Sequence, residues 1–457
     1  MFVNADSGSR PTGSGSGPGF RRIIALIVAA FTLSVLVAAC GGSDDSSESS
    51  GSSESTAASG SAVGTKIAEL LEVPEGEDAL QGEKIDVGAV FPLSGSGSFY
   101  GEVFSSGVDL AVQHIKEAGG PEFNVIYKDN KSGDPEAGTQ VTRELGIDGV
   151  PLSVSSFSAT LGSQLPGLEQ YKIFTLDGGG GAPVGLQSKP YFYGTRAVLP
   201  TDMFDGILQY AEKQVPDAKT VSFVTWDTGP EQTEGYKRLF NESADKFNLE
   251  PVGFETAAIG ETDFSDVMAK LKQQSPDIVL LGVYGLDPAN FMKQYQTAGL
   301  DSQVYGFEVT PEGVKAAGDA YKDIVIAGDS FIADSPDNQW AELYAKEYQK
   351  KNKKPSDFFA ANYYEDMFAL WTLGQRVKAS GGDIRNGEDY VAALESDPSF
   401  PSLYGGNGEA TGTMEIDPET HTVSHRIMTV FEFPEANKPT PVATFDIGGA
   451  DFTELGN

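Results

Sequence analysis

Residues 84–120 read KIDVGAVFPLSGSGSFYGEVFSSGVDLAVQHIKEAGG. The short apolar run 85–91 reads as a buried strand. From 103 to 118, Phe104, Val108, Ala111, Val112 and Ile115 fall on one face of a 3.6-residue period, which predicts an amphipathic helix. A strand, a glycine-containing loop and a helix in that order open a βαβ unit and a mostly parallel sheet. The loop from Gly95 to Gly101 invites a dinucleotide-binding reading. Its third glycine is one position late, and no acid follows on a second strand in the right context, so that reading is set aside.

Working outward, the alternation continues. Strands are expected at 124–128, 151–155 and 173–176, with helices at 136–145 and 160–170 between them. After Pro200 a second series opens, with helices at 202–214, 232–247, 264–274 and 288–298. Its strands are expected at 220–225, 250–257, 278–283 and 303–307. Helices over 339–351 and 362–380 and strands over 428–433 and 441–446 follow. Two α/β series in tandem, in a chain 39% hydrophobic, predict two lobes with a cleft between them.

The N-terminus carries a different signal. Arg21 and Arg22 precede an unbroken apolar run over 23–37, and Val37-Ala38-Ala39-Cys40 follows. The run is roughly 15 residues, within reach of a signal peptide and short of the ~20 that span hydrocarbon. Val37-Ala38-Ala39-Cys40 resembles the lipobox of bacterial lipoproteins, in which small residues admit a peptidase and the cysteine sulfur accepts the lipid. Cys40 is the only cysteine, which excludes an intrachain disulfide and any cysteine-cluster metal site. From 41 to about 64 the Ser/Gly/Ala/Asp/Glu composition cannot bury enough apolar surface to order itself. The expected division is 1–39 signal peptide, 40–82 lipidated cysteine and tether, 83–198 plus 331–411 first lobe, and 199–330 plus 412–457 second lobe. A net charge of −34 opposes nucleic acid and anionic lipid surfaces, so anchoring falls to the acyl chains.

Several ordered motifs in the folded part resemble the leucine/isoleucine/valine-binding family of ABC-importer solute-binding proteins. The first is Val87-Gly88-Ala89-Val90-Phe91-Pro92-Leu93-Ser94-Gly95 with Tyr100-Gly101, Gly107 and Gly119-Gly120. Then come Asp129-Asn130 with Asp134-Pro135-Glu136-Ala137, the serine-rich turn Ser155-Ser156-Phe157-Ser158-Ala159-Thr160, and Asp177-Gly178-Gly179-Gly180-Gly181. A crossing segment over 193–202 with Arg196, and Thr262-Asp263-Phe264-Ser265, complete the set. The resemblance covers 84 to about 450. It implies an α/β fold of two Rossmann-like lobes, the type I periplasmic binding protein, joined by a multi-strand hinge with the ligand cleft between them. Crossings are expected near 196–200, 329–332 and 412–416.

A Ser/Thr turn that opens a helix offers hydroxyls and unpaired N–H groups to an anion, and the resemblance places a ligand carboxylate there. Ser155, Ser156 and Ser158 are the candidates, with Thr160 as helix cap; capping alone is the competing role. Gly179 and Gly181 let backbone approach a ligand closely. The resemblance puts a hydroxyl residue where this chain has glycine, which counts against an ordinary α-amino acid. Asp177 is either an acceptor for a cationic or hydroxylated group or a structural turn residue. Trp226, Tyr284 and Glu308 close three expected strands at the edge where ligands of open α/β sheets gather. The resemblance implies that Glu308 pairs with a ligand ammonium. Tyr100 would close the cleft from the first lobe. Core packing is the alternative for the aromatics, and a solvated loop position for Glu308.

His114, His421 and His425 are the only histidines, and no arrangement of them predicts a metal site or a catalytic triad. No Lys-containing phosphate loop is present, so no cofactor is expected. A non-catalytic solute binder that hands its ligand to an ABC permease driven by its ATPase is the reading, with membrane attachment through Cys40. A ligand sensor acting through a membrane receptor uses the same cleft and stays open, as does the solute: amino acid, amide or carboxylate.

Overall fold

A computed structural model describes residues 61–455 except 96, 157, 184, 330, 437, 450 and 451, and leaves undescribed the side chains of 158–160 and 231. The expected signal segment, Cys40 and the tether to residue 60 lie outside the described residues. In the first lobe α1 (Ala62–Leu70) precedes β1 (Lys84–Phe91), α2 (Ser98–Glu117), β2 (Glu122–Asp129), α3 (Pro135–Ile147), β3 (Leu152–Ser155), α4 (Ser158–Tyr171), β4 (Phe174–Asp177) and β5 (Phe192–Gly194). All five strands run parallel in the order β2-β1-β3-β4-β5. The second lobe holds α5 (Phe204–Gln214), β6 (Thr220–Trp226), α6 (Pro230–Lys246), β7 (Glu250–Ala257), α7 (Ser265–Gln274), β8 (Ile278–Gly282), α8 (Asp287–Ala298), β9 (Gln303–Gly306), α9 (Pro311–Ala317) and β10 (Ile324–Asp329).

The chain then returns to the first lobe as α10 (Gln339–Asn352), α11 (Phe358–Ser380), α12 (Gly387–Ser396) and a small antiparallel sheet of β11 (Ser399–Ser402), β12 (Gly412–Ile416) and β13 (Val423–His425). It crosses once more to add β14 (Ile427–Glu435), β15 (Lys438–Asp446) and β16 (Phe452–Glu454) antiparallel to the second sheet, whose order is β16-β15-β14-β10-β9-β8-β6-β7.

Period-2 alternation divides the strands between two faces. Val221, Phe223, Ile278 and Leu280 enter one core of the second lobe; Val224, Val279 and Leu281 enter the other. In β1, Val87, Ala89 and Phe91 join the large first-lobe core, and Val90 joins a smaller one beneath α3 and α4.

The structure departs from the sequence reading in four places. Residues 61–82, expected to be tether with at most a short helix over 65–82, are folded: Ser61 caps α1, Ile67 and Leu80 are fully buried, and Trp371 Nε1 donates to the Ala79 carbonyl at 2.9 Å. The tether reading of 61–82 is therefore corrected. Helix α2 starts at Ser98, five residues early, which places Tyr100 on a helix where its ring reaches Phe104 one turn on. Helix α4 starts at Ser158, so Thr160 lies inside the first turn and is not the cap. Finally, residues 412–425 belong with the first lobe: Met414 and Ile416 sit in its core, and the third crossing runs between His425 and Ile427.

Candidate functional site

The carboxyl ends of the parallel strands in both sheets point their loops at the cleft. On the first lobe β4 ends in Asp177, wholly buried, whose Oδ1 accepts from the N–H groups of Gly179 (3.1 Å), Gly180 (2.6 Å) and Gly181 (3.1 Å). This carboxylate builds the glycine turn through Oδ1. Its Oδ2 is buried with no hydrogen-bond partner. Gly181 has φ of +65°, and a Cβ there would stand 2.4 Å from the Arg196 carbonyl, so only glycine fits. The Gly179 carbonyl accepts from Arg196 Nη1 at 2.8 Å.

The serine turn divides its hydroxyls. Ser155 donates to Gln164 Oε1 at 3.1 Å, toward α4 and away from the cleft, and its carbonyl accepts from the Tyr363 hydroxyl at 2.7 Å. Ser156 is buried beside the turn: a Cβ on Gly179 would lie 3.3 Å from its own. Ser158 is the first residue of α4, and its side chain is among those not described.

From the second lobe, Glu308 follows β9 and is 7% exposed. Burial pushes its carboxyl above the usual range while the Arg196 guanidinium pulls it back. Arg196 Nη2 lies 3.3 Å from Glu308 Oε2, and the Gly285 N–H donates to Oε1 at 3.2 Å. The same guanidinium gives Nε to Asp329 Oδ2 at 2.8 Å and rests on Phe358 and Phe359, 4.6 and 4.8 Å from their ring centroids. Glu308 is thus an acid held in place, not a loop charge.

Tyr284 presents its ring to Trp226, centroids 5.0 Å apart and nearly perpendicular, and Trp226 Nε1 donates to Asp287 Oδ2 at 2.8 Å. Tyr100 reaches across the cleft: a Cβ on Gly285 would meet its hydroxyl at 2.9 Å, and Phe359 packs edge-on to its ring. Burial, then the charge of Glu308, raises the Tyr100 phenol above its ordinary value, so it stays protonated.

Tyr100, Ser156, the glycine turn, Tyr284 and Glu308 are brought together, whereas the Ser155 hydroxyl is not. Arg196, Asp329 and the Asn362–Tyr363–Asp366 stretch of α11 were not among the expected site residues. Asn362 Nδ2 donates to the Gly178 carbonyl at 3.0 Å, and Asp366 Oδ1 accepts from Thr195 at 2.5 Å. A signal for α11 was present: Glu365 and Asp366 interrupt a helix that is otherwise apolar on most faces, and buried acids need partners. Glu365 finds its partner in Arg426, wholly buried on the third crossing, at 2.6 Å.

Two buried groups give opposite pH signatures. Burial raises Asp177 from the ordinary 3.8 to about 7 against the three N–H bonds that lower it. A carboxyl so raised stabilises the fold below the lower value, and that contribution is lost as pH climbs to about 7. Burial lowers His114, which faces the Tyr364 hydroxyl at 2.9 Å, from 6.5 to about 4. Its contribution is present above 6.5 and lost as pH falls toward 4. In urea titrations across this range, Asp177→Asn should flatten the decline toward neutral pH and His114→Gln the decline toward acid. Parallel curves for wild type and both variants would contradict these assignments.

A family model described as periplasmic binding protein matches residues 84–438. The chain belongs to the periplasmic binding protein family. Within that family it is similar to a Leu/Ile/Val-binding protein homolog of Brucella abortus, 25% identical over 328 residues, 70% of this chain and 84% of the relative. Two solved structures share its fold. One is the branched-chain amino acid transporter substrate binding protein of Streptococcus pneumoniae in complex with isoleucine, with TM-score 0.64, 23% identity, and coverage of 80% of this chain and 99% of that one. The other is an ABC transporter solute binding protein of R. palustris in complex with benzoate, with TM-score 0.64, 22% identity, and coverage of 79% and 96%. The two-lobed α/β architecture described above is the family's fold.

Proposed function

We propose that this chain is the extracytoplasmic solute-binding subunit of an ABC importer, and that it captures a small amino acid or related amide or carboxylate between its lobes and delivers it to a permease. The observation that carries the reading is the meeting of Ser156 and the glycine turn of one lobe with Tyr284 and Glu308 of the other, around Arg196. An acid for an ammonium faces a helix start for a carboxylate, and hinge closure brings the halves together. Similarity to a Leu/Ile/Val-binding protein homolog supports an amino acid, and the benzoate complex of a structural neighbour supports carboxylates more widely. No catalytic step is required of any residue.

A thermal-shift screen of the purified protein against amino acids, amides and organic acids tests the reading, because a solute that binds only the folded state raises the melting temperature. Stabilisation without turnover is the expected result, and chemical conversion of the stabilising solute would overturn it. Membrane attachment is proposed through diacylated Cys40. Cys40→Ser should release the protein from the membrane fraction and leave solute affinity unchanged; retention in that fraction would count against the anchor.

A further inference from the structure

Among the described residues, three hydroxyls of the second lobe are closed off from solvent without a hydrogen-bond partner: Thr228 Oγ1, Thr233 Oγ1 and the phenol of Tyr284. All three lie in the segments that follow the carboxyl ends of the neighbouring strands β6 and β8, the edge of this lobe that faces the cleft. Strands β6 and β8 are neighbours with Thr225 opposite Gly282, and Thr225 Oγ1 donates to the Gly282 carbonyl at 3.1 Å. Two residues past that level on each strand stand Trp226's neighbour loop and Tyr284; the Trp226 and Tyr284 rings touch, and Thr228 follows Trp226 by two positions. Thr233 lies in the first turn of α6, one turn before Tyr236, whose phenol is close enough to Tyr284 to bias its ionisation.

Nearby polar groups are already committed. Tyr236 receives from Gln232 Nε2 at 2.7 Å and donates to the Leu199 carbonyl at 3.3 Å. Asp287 takes Trp226 Nε1 and the N–H groups of Gly260 and Glu261 on one oxygen. A buried hydroxyl left unsatisfied costs about 1–3 kcal/mol. A branched aliphatic side chain placed here leaves all three unsatisfied, and a site built to hydrogen-bond a polar group rejects the apolar isostere strongly.

Resting on the amino-acid reading of the cleft, we propose that the solute carries a neutral polar side chain, an amide or a hydroxyl, received by Thr228, Thr233 and Tyr284. Hydroxyls both donate and accept, which matches the C=O and NH2 of a primary amide or a second hydroxyl. Charge selects against a second carboxylate. Asp287 and Glu308 flank this edge, and the one buried guanidinium near it, Arg196, is already shared between Glu308 and Asp329.

Isosteric pairs make the test: threonine against valine, asparagine against leucine, asparagine against aspartate, and glutamine against lysine, by titration calorimetry on the purified protein. The polar neutral member should bind at least tenfold tighter in each pair. Thr228→Val should weaken the best polar solute at least tenfold and leave its apolar isostere within twofold, with Thr228→Ser restoring most of the loss; Tyr284→Phe should weaken the polar solute at least fivefold more than the apolar one. Valine or leucine binding as tightly as threonine or asparagine, or a preference for aspartate or lysine, overturns this proposal and leaves the amino-acid reading intact. Variants that move polar and apolar solutes equally also overturn it. Binding of benzoate-like acids alone, with no amino acid, removes the underlying reading and this one together.

Discussion

Arg196→Leu should cost the fold about 3–5 kcal/mol, the usual penalty for removing one partner of a buried ion pair. The guanidinium is 4% exposed and is the shared partner of two acids, Glu308 at 3.3 Å and Asp329 at 2.8 Å, while also holding the Gly179 carbonyl. Leucine fills the slot against Phe358 and Phe359 but leaves both carboxylates without a cation in a site that water does not reach. Adding Glu308→Gln and Asp329→Asn to Arg196→Leu should recover part of the loss, since no net charge then remains buried. Arg196→Lys should recover less than the wild-type fork supplies, because one ammonium cannot meet Glu308, Asp329 and Gly179 from a single stem. Urea unfolding followed by circular dichroism reads all of these. A loss under 1 kcal/mol for Arg196→Leu would mean that the acids are not held by this arginine.

Glu308→Gln should separate binding from stability. The amide keeps the volume and the acceptor for Gly285 N–H, and it relieves a carboxyl that burial already disfavours, so the fold should change by less than about 1 kcal/mol. Solute affinity should fall by about 2–5 kcal/mol, as expected when one side of a desolvated charge pair is truncated and the ligand ammonium is left alone. The two arginine-linked variants thus have opposite profiles: Arg196→Leu mainly unfolds, and Glu308→Gln mainly fails to bind. Unchanged affinity of Glu308→Gln for the best solute would remove the ammonium-pairing role.

Much of the architecture was legible because burial writes itself as periodicity. The short apolar runs within 220–225 and 278–283 marked strands whose two faces enter separate cores, and β7 lies where it was expected, residue for residue. The errors fall where the local pattern carries no such signal. Strand β12 is five residues long, alternates buried and exposed, and follows a glycine-rich turn, so nothing in it reveals which lobe it joins. Helix α1 is short and its apolar face is packed by α2 and α10, the latter far along the chain. Tyr284 and Glu308 were singled out as candidates because each follows a strand at the cleft edge, and Tyr100 because it sits between a strand and an expected helix; the structure places it in the first turn of α2. Arg196 was noted only as part of a crossing, because a charge becomes a hub through partners more than a hundred residues away, and spacing along the sequence does not encode them.

The return of the chain to the first lobe also sets a timetable. The core that contains Ile67 near the start is completed by Trp340, Trp371, Tyr404 and Val423 close to the end. A nascent chain that stops short of α11 therefore presents five parallel strands with one face only partly covered, by α2 and α10, and contacts of such long sequence separation form late and slowly. The first lobe of this extracytoplasmic family member thus completes its largest core only when residues 340–423 have been added to those that begin it.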